Sequence, residues 1–145
     1  THGLSIVFVV MQHPNDLDIS RQVQGMMHEP AWLLGERWRP EELMGAIGQA
    51  ELVISMRLHT LIFSARMGVP LVGLVYDPKV DYYLELLNMP SGGRVTDFRG
   101  EELNAQVARL LERREEYAAA LSQKVEELGV LAHQNEDYLL KLLEK

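Results

Sequence analysis

Apolar residues along the chain occur in two patterns. Continuous runs, such as LSIVFVVM at residues 4–11, are typical of strands buried on both faces of a parallel sheet. Between the runs, apolar residues recur three or four positions apart, which predicts helices. The pattern predicts strands at 4–11, 32–34, 52–55, 71–75 and 94–95, and helices through 19–27, 40–49, 58–67, 80–87, 103–111 and from 117 almost to the end.

Strands and helices alternate in this order, which predicts an α/β fold. The expected architecture is a three-layer Rossmann-like sandwich with a parallel sheet. We expect a single domain over residues 1–145, in which residues 101–145 form C-terminal helices.

Turn-forming and capping residues set the expected boundaries. Asp16 or Asp18 is expected to cap the first helix. Pro40 suits the first position of the second helix. Residues 89–93, which include one proline and two glycines, are expected to form a loop.

The last helical segment carries a heptad-like seam. If the seam packs on the chain's own core, no partner is needed; if it does not, it can form a coiled coil with a second chain. The first alternative is favoured because only about three heptads are present. Gly129 either weakens one long helix or caps the first of two helices. The seam consists of Leu121, Val125, Leu128, Ala132, Asn135, Leu139 and Leu142.

The composition excludes several classes of protein. The 145 residues carry a formal net charge of −7, which argues against a general nucleic-acid surface. Cysteine is absent, so disulfides and thiolate zinc sites are excluded, and no metal site is expected. The sequence contains no run of about 18 apolar residues, so no transmembrane helix is expected. The start does not resemble a signal peptide, and we expect the chain to be part of a longer one.

Residues 51–79, ELVISMRLHTLIFSARMGVPLVGLVYDPK, concentrate the candidate chemistry. They predict a βαβ unit whose two strands are parallel neighbours. Arg57 and His59 fall in the turn after the first strand, and Lys79 follows the second strand. Ligands of open parallel sheets bind at the carboxyl edge, where both turns lie.

The turn after the first strand of this unit suits an anion. The N–H groups at the start of the following helix lack partners, and the helix dipole is positive there. Arg57 can add a bidentate contact, and His59 can donate to a phosphate or transfer a proton. A surface ion pair for Arg57 and a packing role for His59 are the alternatives. The coincidence of both residues with a strand-to-helix turn favours function.

The turn after the second strand adds further candidates. Lys79 can bind a carboxylate or phosphate as a point charge. Asp77 either takes part in the site or caps the next helix. Tyr76 is expected to form part of the site wall. His13 ends the first strand of the chain and belongs to the same predicted edge.

Several common catalytic motifs are absent from the sequence. There is no Walker loop, no GxGxxG after the first strand, no GxSxG and no HExxH. Their absence disfavours a P-loop NTPase, a standard dinucleotide dehydrogenase, a serine hydrolase and a zincin.

The βαβ segment resembles the polysaccharide pyruvyl transferase family, especially its bacterial cell-wall-polymer members. Three motifs in order carry the resemblance, namely R-L-H at 57–59, G-V-P at 68–70 and Y-D-P-K-V at 76–80. The resemblance extends over about residues 4–87.

The resemblance implies the C-terminal half of a glycosyltransferase-B-like enzyme with two Rossmann-like halves. Such enzymes transfer pyruvate from phosphoenolpyruvate onto a sugar of a cell-wall polysaccharide or its lipid-linked precursor, as a ketal. The N-terminal half would be the partner across the cleft and would add another basic residue. Phosphoenolpyruvate is then the donor substrate, and no cofactor is expected. The implied location is the cytoplasm, with a peripheral position at the inner face of the membrane.

The resemblance also implies roles for individual residues. Arg57, His59 and Lys79 match the important Arg, His and Lys of the family. Arg57 suits the phosphate and Lys79 the carboxylate, or the reverse, and His59 is the candidate general acid. The residues expected to contact substrate around them are Ser55, Met56, Leu58, Tyr76, Asp77 and His13.

Two other functions remain open from the residues alone. A nucleotide-sugar glycosyltransferase or epimerase of the same fold usually has a glycine-rich turn after this strand, whereas Ser55, Met56 and Arg57 stand there here. A noncatalytic interaction module would use the C-terminal helices, which could also form a homo-oligomer.

Overall fold

In a computed structural model, which describes residues 3–143 apart from the side chain at 137, strands and helices alternate as predicted. The strand pairs within these residues are parallel, which confirms the α/β class and is compatible with Rossmann-like layering. The elements are β1 (Ile6–Val9), α1 (Asn15–Met26), β2 (Ala31–Leu34), α2 (Pro40–Ile47), β3 (Val53–Ser55), α3 (Leu58–Arg66), β4 (Leu71–Val75), α4 (Pro78–Leu87), β5 (Ser91–Arg94), a 3₁₀ turn (Val95–Asp97), α5 (Gly100–Glu112) and α6 (Arg114–Leu143).

The strands are divided between two sheets, one with the order β1-β2 and one with the order β3-β4-β5. The chain likewise divides into two compact units, one up to Leu43 and one from Met44 onward, which are described in turn. The expectation of a single domain over residues 1–145 stays a prediction.

The first unit is built on the parallel pair β1-β2, in which Ile6 lies opposite Ala31 and Val9 opposite Leu34. The Gln24 side chain of α1 donates to the Ala31 carbonyl at 2.6 Å, which ties this helix to the start of β2. Ile6 and Val7 are 45% and 47% exposed. Successive side chains of a strand point to opposite faces, so both faces of β1 are partly open to solvent, and the prediction that the first strand is buried on both faces is wrong.

The second unit holds the main core around the central strand β4. Strands β3 and β5 flank β4, and Leu71 and Val72 of β4 are fully buried. Gly68, at a φ of +69°, provides the left-handed position that ends α3 before β4 begins. Helices α3 and α4 pack on the sheet through buried side chains, among them Leu61, Ala65, Val80, Leu84 and Leu87.

Strand β5 corrects the prediction of a loop at residues 89–93. The sequence placed the strand at 94–95, but it spans Ser91–Arg94 and includes both glycines. A Cβ added to Gly92 would lie 2.8 Å from the Leu103 side chain of α5 and 2.9 Å from that of Leu74. Glycine, usually a poor strand former, is used here because helix α5 approaches the backbone closely.

Helix α6 shows that the seam has two different environments. Leu121 is fully buried, and Val125 and Leu128 are half-buried, so the first part packs on the chain's own unit as favoured. Beyond Gly129, which lies inside the continuous helix rather than at a cap, the described side chains are exposed. Oligomer formation through this end stays a prediction. In residues 3–143, no helix combines the length and apolar character needed to cross a membrane.

The predicted cap of α1 is also corrected. Helix α1 begins at Asn15 after Pro14, and no side chain caps it there. Asp16 and Asp18 lie inside the first turn, and the Asp16 carboxylate accepts a hydrogen bond from the Gln12 backbone N–H at 2.9 Å. The acid thus stabilises the turn before the helix. In α2, Pro40 is the first residue, as predicted.

Candidate active site

The turn between β3 and α3 is ordered by local hydrogen bonding. Ser55 is the last residue of β3, and its Oγ accepts a hydrogen bond from the Arg57 backbone N–H at 2.9 Å. Arg57 is the extended N-cap residue, and α3 begins at Leu58. Arg57 contributes no side-chain cap hydrogen bond, so the first N–H groups of α3 keep the capacity to bind an anion.

The side chains of this turn differ in their access to solvent. Arg57 and Leu58 are half-buried, whereas Met56 and His59 are exposed. His59 lies in the first turn of α3, as predicted. The turn therefore presents an imidazole that a ligand can reach, next to an arginine that is partly buried.

Thr60 also lies in the first turn of α3, and the sequence patterns gave it no role. The residue is only 6% exposed, and its hydroxyl has no hydrogen-bond partner among the described residues. Buried polar groups nearly always have a partner, so an unpaired hydroxyl at this position is unusual. The signal in the sequence is slight: Thr60 and Ser64, one turn apart, are polar positions on an otherwise apolar helix face.

The turn between β4 and α4 places Lys79 in the first turn of a helix. Asp77 is the N-cap residue, and its Oδ1 accepts a hydrogen bond from the Lys79 backbone N–H at 2.9 Å. Pro78 occupies the first helical position, where no backbone N–H is needed. The capping role expected as one alternative for Asp77 is thus observed.

The Lys79 ammonium has two neighbours in its own turn. It lies 3.8 Å from Asp77 Oδ2 and 5.9 Å from the centre of the Tyr76 ring. Both neighbours attract a cation, and the side chain is still 55% exposed. The arrangement holds a cation at the surface where a ligand can meet it.

The two turns lie at the same edge of the sheet. β3 and β4 are parallel neighbours, with Ser55 opposite Gly73, which confirms the predicted βαβ pairing. Adjacent strands are about 4.8 Å apart, so side chains that follow both strands can contact one small ligand. Arg57, His59 and Lys79 are the basic groups so arranged, a set able to hold a dianion and to move a proton.

A third strand of this sheet ends in another cation, which the sequence patterns did not single out. Arg94 is the last residue of β5 and lies opposite Val75, the last residue of β4. Its guanidinium NH2 donates to Asp81 Oδ2 in α4 at 3.1 Å. The position of Arg94 depends on where β5 begins, which its glycines obscured.

In the first unit, His13 lies near Glu36. Its Nε2 is 3.5 Å from the Glu36 carbonyl oxygen, a long hydrogen bond in which the ring N–H would donate. The two residues follow the neighbouring parallel strands β1 and β2, which form a separate sheet from β3-β4-β5. That His13 shares an edge with Arg57, His59 and Lys79 stays a prediction.

Comparison with known proteins bears on the family. No match was found among curated proteins or among solved structures. The family model for polysaccharide pyruvyl transferase matches residues 1–78, which include the R-L-H turn and end one residue before Lys79. The matched part is more than half of the 145 residues, so the chain belongs to the polysaccharide pyruvyl transferase family.

Proposed function

We propose that this chain is the phosphoenolpyruvate-binding, C-terminal half of a glycosyltransferase-B-like polysaccharide pyruvyl transferase. Membership of the family supports the transfer of pyruvate to a polysaccharide. The observation that carries the donor site is the placement of Arg57 and His59 after β3 and of Lys79 after β4, at one edge of a parallel pair.

Phosphoenolpyruvate has two anionic groups, and we assign each to one of the two turns. The phosphate is bound by Arg57 and the first N–H groups of α3, since a guanidinium and a helix N-terminus both suit phosphate oxygens. The carboxylate is bound by Lys79, whose ammonium is a compact point charge. Asp77 keeps Lys79 in the first turn of α4 through its cap.

The transfer reaction adds both acceptor oxygens to the same carbon. A proton goes to the methylene carbon of the enol, which becomes a methyl group, and a sugar hydroxyl oxygen bonds to the adjacent carbon and loses its proton. The bond from that carbon to the phosphate oxygen then breaks, and phosphate leaves. A second sugar hydroxyl bonds to the carbon and loses its proton, which completes the ketal.

His59 is the proton donor to the methylene carbon in this scheme. It lies in the same helical turn as the proposed phosphate site and is exposed to solvent, where a bound donor can meet it. Positioned proton transfer of this kind contributes about 10²- to 10⁴-fold to a rate. The scheme requires no metal ion or cofactor.

The acceptor and the partner domain complete the proposal. The acceptor is a cell-wall glycan or its lipid-linked precursor, and an N-terminal Rossmann-like half binds it and adds one more basic residue. The working location is the cytoplasm, at the inner face of the membrane where a lipid-linked acceptor is accessible.

Ligand titration of the 145-residue chain tests the donor assignment. Isothermal calorimetry should show binding of phosphoenolpyruvate and weaker or no binding of uridine and guanosine diphosphates. Arg57→Gln and Lys79→Ala should each weaken phosphoenolpyruvate binding. Lys141→Ala is the matched control for Lys79, because Lys141 lies 5.8 Å from the Tyr138 ring in α6, far along the chain from both turns. A preference for the nucleotides would favour the glycosyltransferase or epimerase alternative instead.

Transfer assays with the full-length enzyme test the role of His59. His59→Ala should lower kcat by about 10²-fold or more and leave the donor KM nearly unchanged. His133→Ala, an exposed histidine of α6, is the control and should keep full activity. If His59→Ala retains normal kcat, His59 does not supply the proton.

A further inference from the structure

Each strand of the β3-β4-β5 sheet is followed or ended by a basic residue at the same edge. Arg57 follows β3, Lys79 follows β4, and Arg94 ends β5. Parallel strands have their carboxyl ends at one edge, so this row of three cations runs across the edge where ligands of such sheets bind.

The strand register places Arg57 and Arg94 on either side of the end of β4. Ser55, the last residue of β3, pairs with Gly73, and Arg57 follows it after a bend at Met56. Val75 pairs directly with Arg94. Strands β3 and β5 lie on either side of β4, about 10 Å apart, which is twice the spacing of adjacent strands. Arginine side chains are long enough to reach one small ligand from both sides.

The hydrogen bond to Asp81 fixes the direction of the Arg94 side chain. Asp81 lies in α4 two residues after Lys79, so the guanidinium is held against the helix that carries Lys79. Within the described residues, this is the one hydrogen bond of the Arg94 side chain, and the side chain is 66% exposed. A guanidinium has five N–H donors, so most of its donors remain available for a carboxylate.

The charge of phosphoenolpyruvate exceeds what two cations can neutralise. A phosphate monoester carries about −1.5 to −2 near neutral pH, and the carboxylate adds a further negative charge. Arg57 and Lys79 together supply two positive charges, and Arg94 supplies a third at the same edge. Asp77 and Asp81, which pair with Lys79 and Arg94, offset part of this charge, so the donor needs all three cations.

We propose that Arg94 binds the donor carboxylate together with Lys79, so that it is a third binding residue for phosphoenolpyruvate. This inference rests on the proposed function. The carboxylate is assigned to Arg94, rather than the phosphate, because Asp81 holds its guanidinium beside α4 and across β4 from Arg57. A bidentate contact from Arg94 would also orient the planar carboxylate, which the point charge of Lys79 cannot do.

Calorimetric titration of the 145-residue chain with two ligands, phosphoenolpyruvate and inorganic phosphate, tests the inference. Arg94→Gln should raise the Kd for phosphoenolpyruvate about tenfold, the size expected for a lost charge-assisted hydrogen bond. The same variant should leave the Kd for inorganic phosphate unchanged, because phosphate lacks the carboxylate. Arg57→Gln should weaken the binding of both ligands.

Two variants separate ligand binding from other effects of the substitution. Asp81→Asn removes the ion pair but leaves an amide oxygen that can still accept from Arg94 and hold its direction, so phosphoenolpyruvate affinity should stay within about twofold, as for a surface pair. Arg66→Gln removes a cation from the last turn of α3, at the opposite edge of the sheet, and should have no effect on either ligand.

The outcomes distinguish the inference from the proposed function. If the unmodified chain binds phosphoenolpyruvate and Arg94→Gln binds it equally well, the inference is overturned and the donor site stands. If Asp81→Asn weakens binding as much as Arg94→Gln does, Arg94 acts only through its ion pair, which also overturns it. If the unmodified chain binds phosphate but not phosphoenolpyruvate, the proposed donor and the role of Arg94 both fail.

Discussion

Strands β1 and β4 have similar compositions and opposite surroundings. Both are short apolar runs, IVFV in β1 and LVGLV in β4. Ile6 and Val7 of β1 are nearly half exposed, whereas Leu71 and Val72 of β4 are fully buried. β4 has a strand on each side and helices packed on it, and β1 has one neighbouring strand within its unit. An apolar run therefore indicates a strand, but its burial depends on how many layers and neighbours surround it.

The same contrast between the two sheets bears on which turns can keep ligand-binding side chains in position. The turns that carry Arg57 and Lys79 both join the buried sheet of the second unit. A rigid scaffold under a binding turn keeps its side chains in position with little loss of entropy on binding. His13, by contrast, follows the exposed strand of the first unit.

The largest expected effect comes from truncating a buried aliphatic side chain in β4. Leu71→Ala should lower the free energy of unfolding of the second unit by about 2–5 kcal/mol, because it leaves a cavity in a closed core. Ile6→Ala, the matched change in β1, should cost less than about 1 kcal/mol, since that side chain is already half in water.

Denaturant unfolding with two optical probes measures this difference. Both tryptophans, Trp32 and Trp38, belong to the first unit and all five tyrosines to the second, so tryptophan emission follows the first unit and tyrosine absorbance the second. Equal losses for Leu71→Ala and Ile6→Ala would show that the exposure of β1 in this structure is not its state in solution.

A smaller effect is expected from adding one methyl group to a glycine in each unit. A Cβ on Gly73 would lie 2.5 Å from Leu84 Cδ1, and Leu84 is itself buried, so Gly73→Ala should cost about 1–3 kcal/mol. Gly25 in α1 has no atom within 4 Å of such a Cβ, so Gly25→Ala should stabilise the helix by up to about 1 kcal/mol. Thermal unfolding followed by circular dichroism measures both, and a stabilising Gly73→Ala would contradict the tight β4–α4 packing.

The smallest effect is a pH dependence in the first unit. The Arg39 side chain, and then its backbone N–H, donate to Glu42 and lower the pKa of that carboxyl below its ordinary value. A lowered folded-state pKa gives stability that is present above the unfolded pKa and is lost as pH falls through the folded pKa. Glu42→Gln should therefore reduce the loss of stability on the acid side.

The readout for Glu42 is the unfolding midpoint from tryptophan emission, measured near neutral pH and below the ordinary pKa of a glutamate. Glu127→Gln in α6 is the control, because its carboxyl has a pKa lowered by Lys124 but belongs to the second unit. If Glu42→Gln loses as much stability in acid as the unmodified chain does, the Arg39–Glu42 contact does not contribute to this pH dependence.

Much of the fold was predictable because it depends on local patterns. The order of strands and helices, the exact span of β4 and the start of α2 at Pro40 all follow from short-range spacing and turn chemistry. The predicted cap at Asp16 or Asp18 failed for a local reason as well. The Asp16 carboxylate bonds to the N–H of Gln12 in the preceding turn, a competing partner that the capping pattern does not reveal.

The candidate site was predictable in so far as its residues follow apolar runs. Arg57, His59 and Lys79 could be placed at one edge because the G-V-P stop separates two strands of a βαβ unit. Arg94 and Thr60 could not be singled out in this way. Arg94 was missed because the strand that carries it is made partly of glycine. Thr60 was missed because only the structure shows that its buried hydroxyl has no hydrogen-bond partner within the described residues.

The sequence by itself determined the alternation of elements, the parallel β3-β4 pair and the motifs that mark the family, because these features depend on residues close together along the chain. Only the tertiary structure decided that β1 is exposed and β4 buried, that Gly92 lies in a strand, and that Arg94 stands across β4 from Arg57. These features arise from contacts between residues far apart in sequence. They depend on strand register and on the layers that close over each face, which local hydrophobic spacing does not specify.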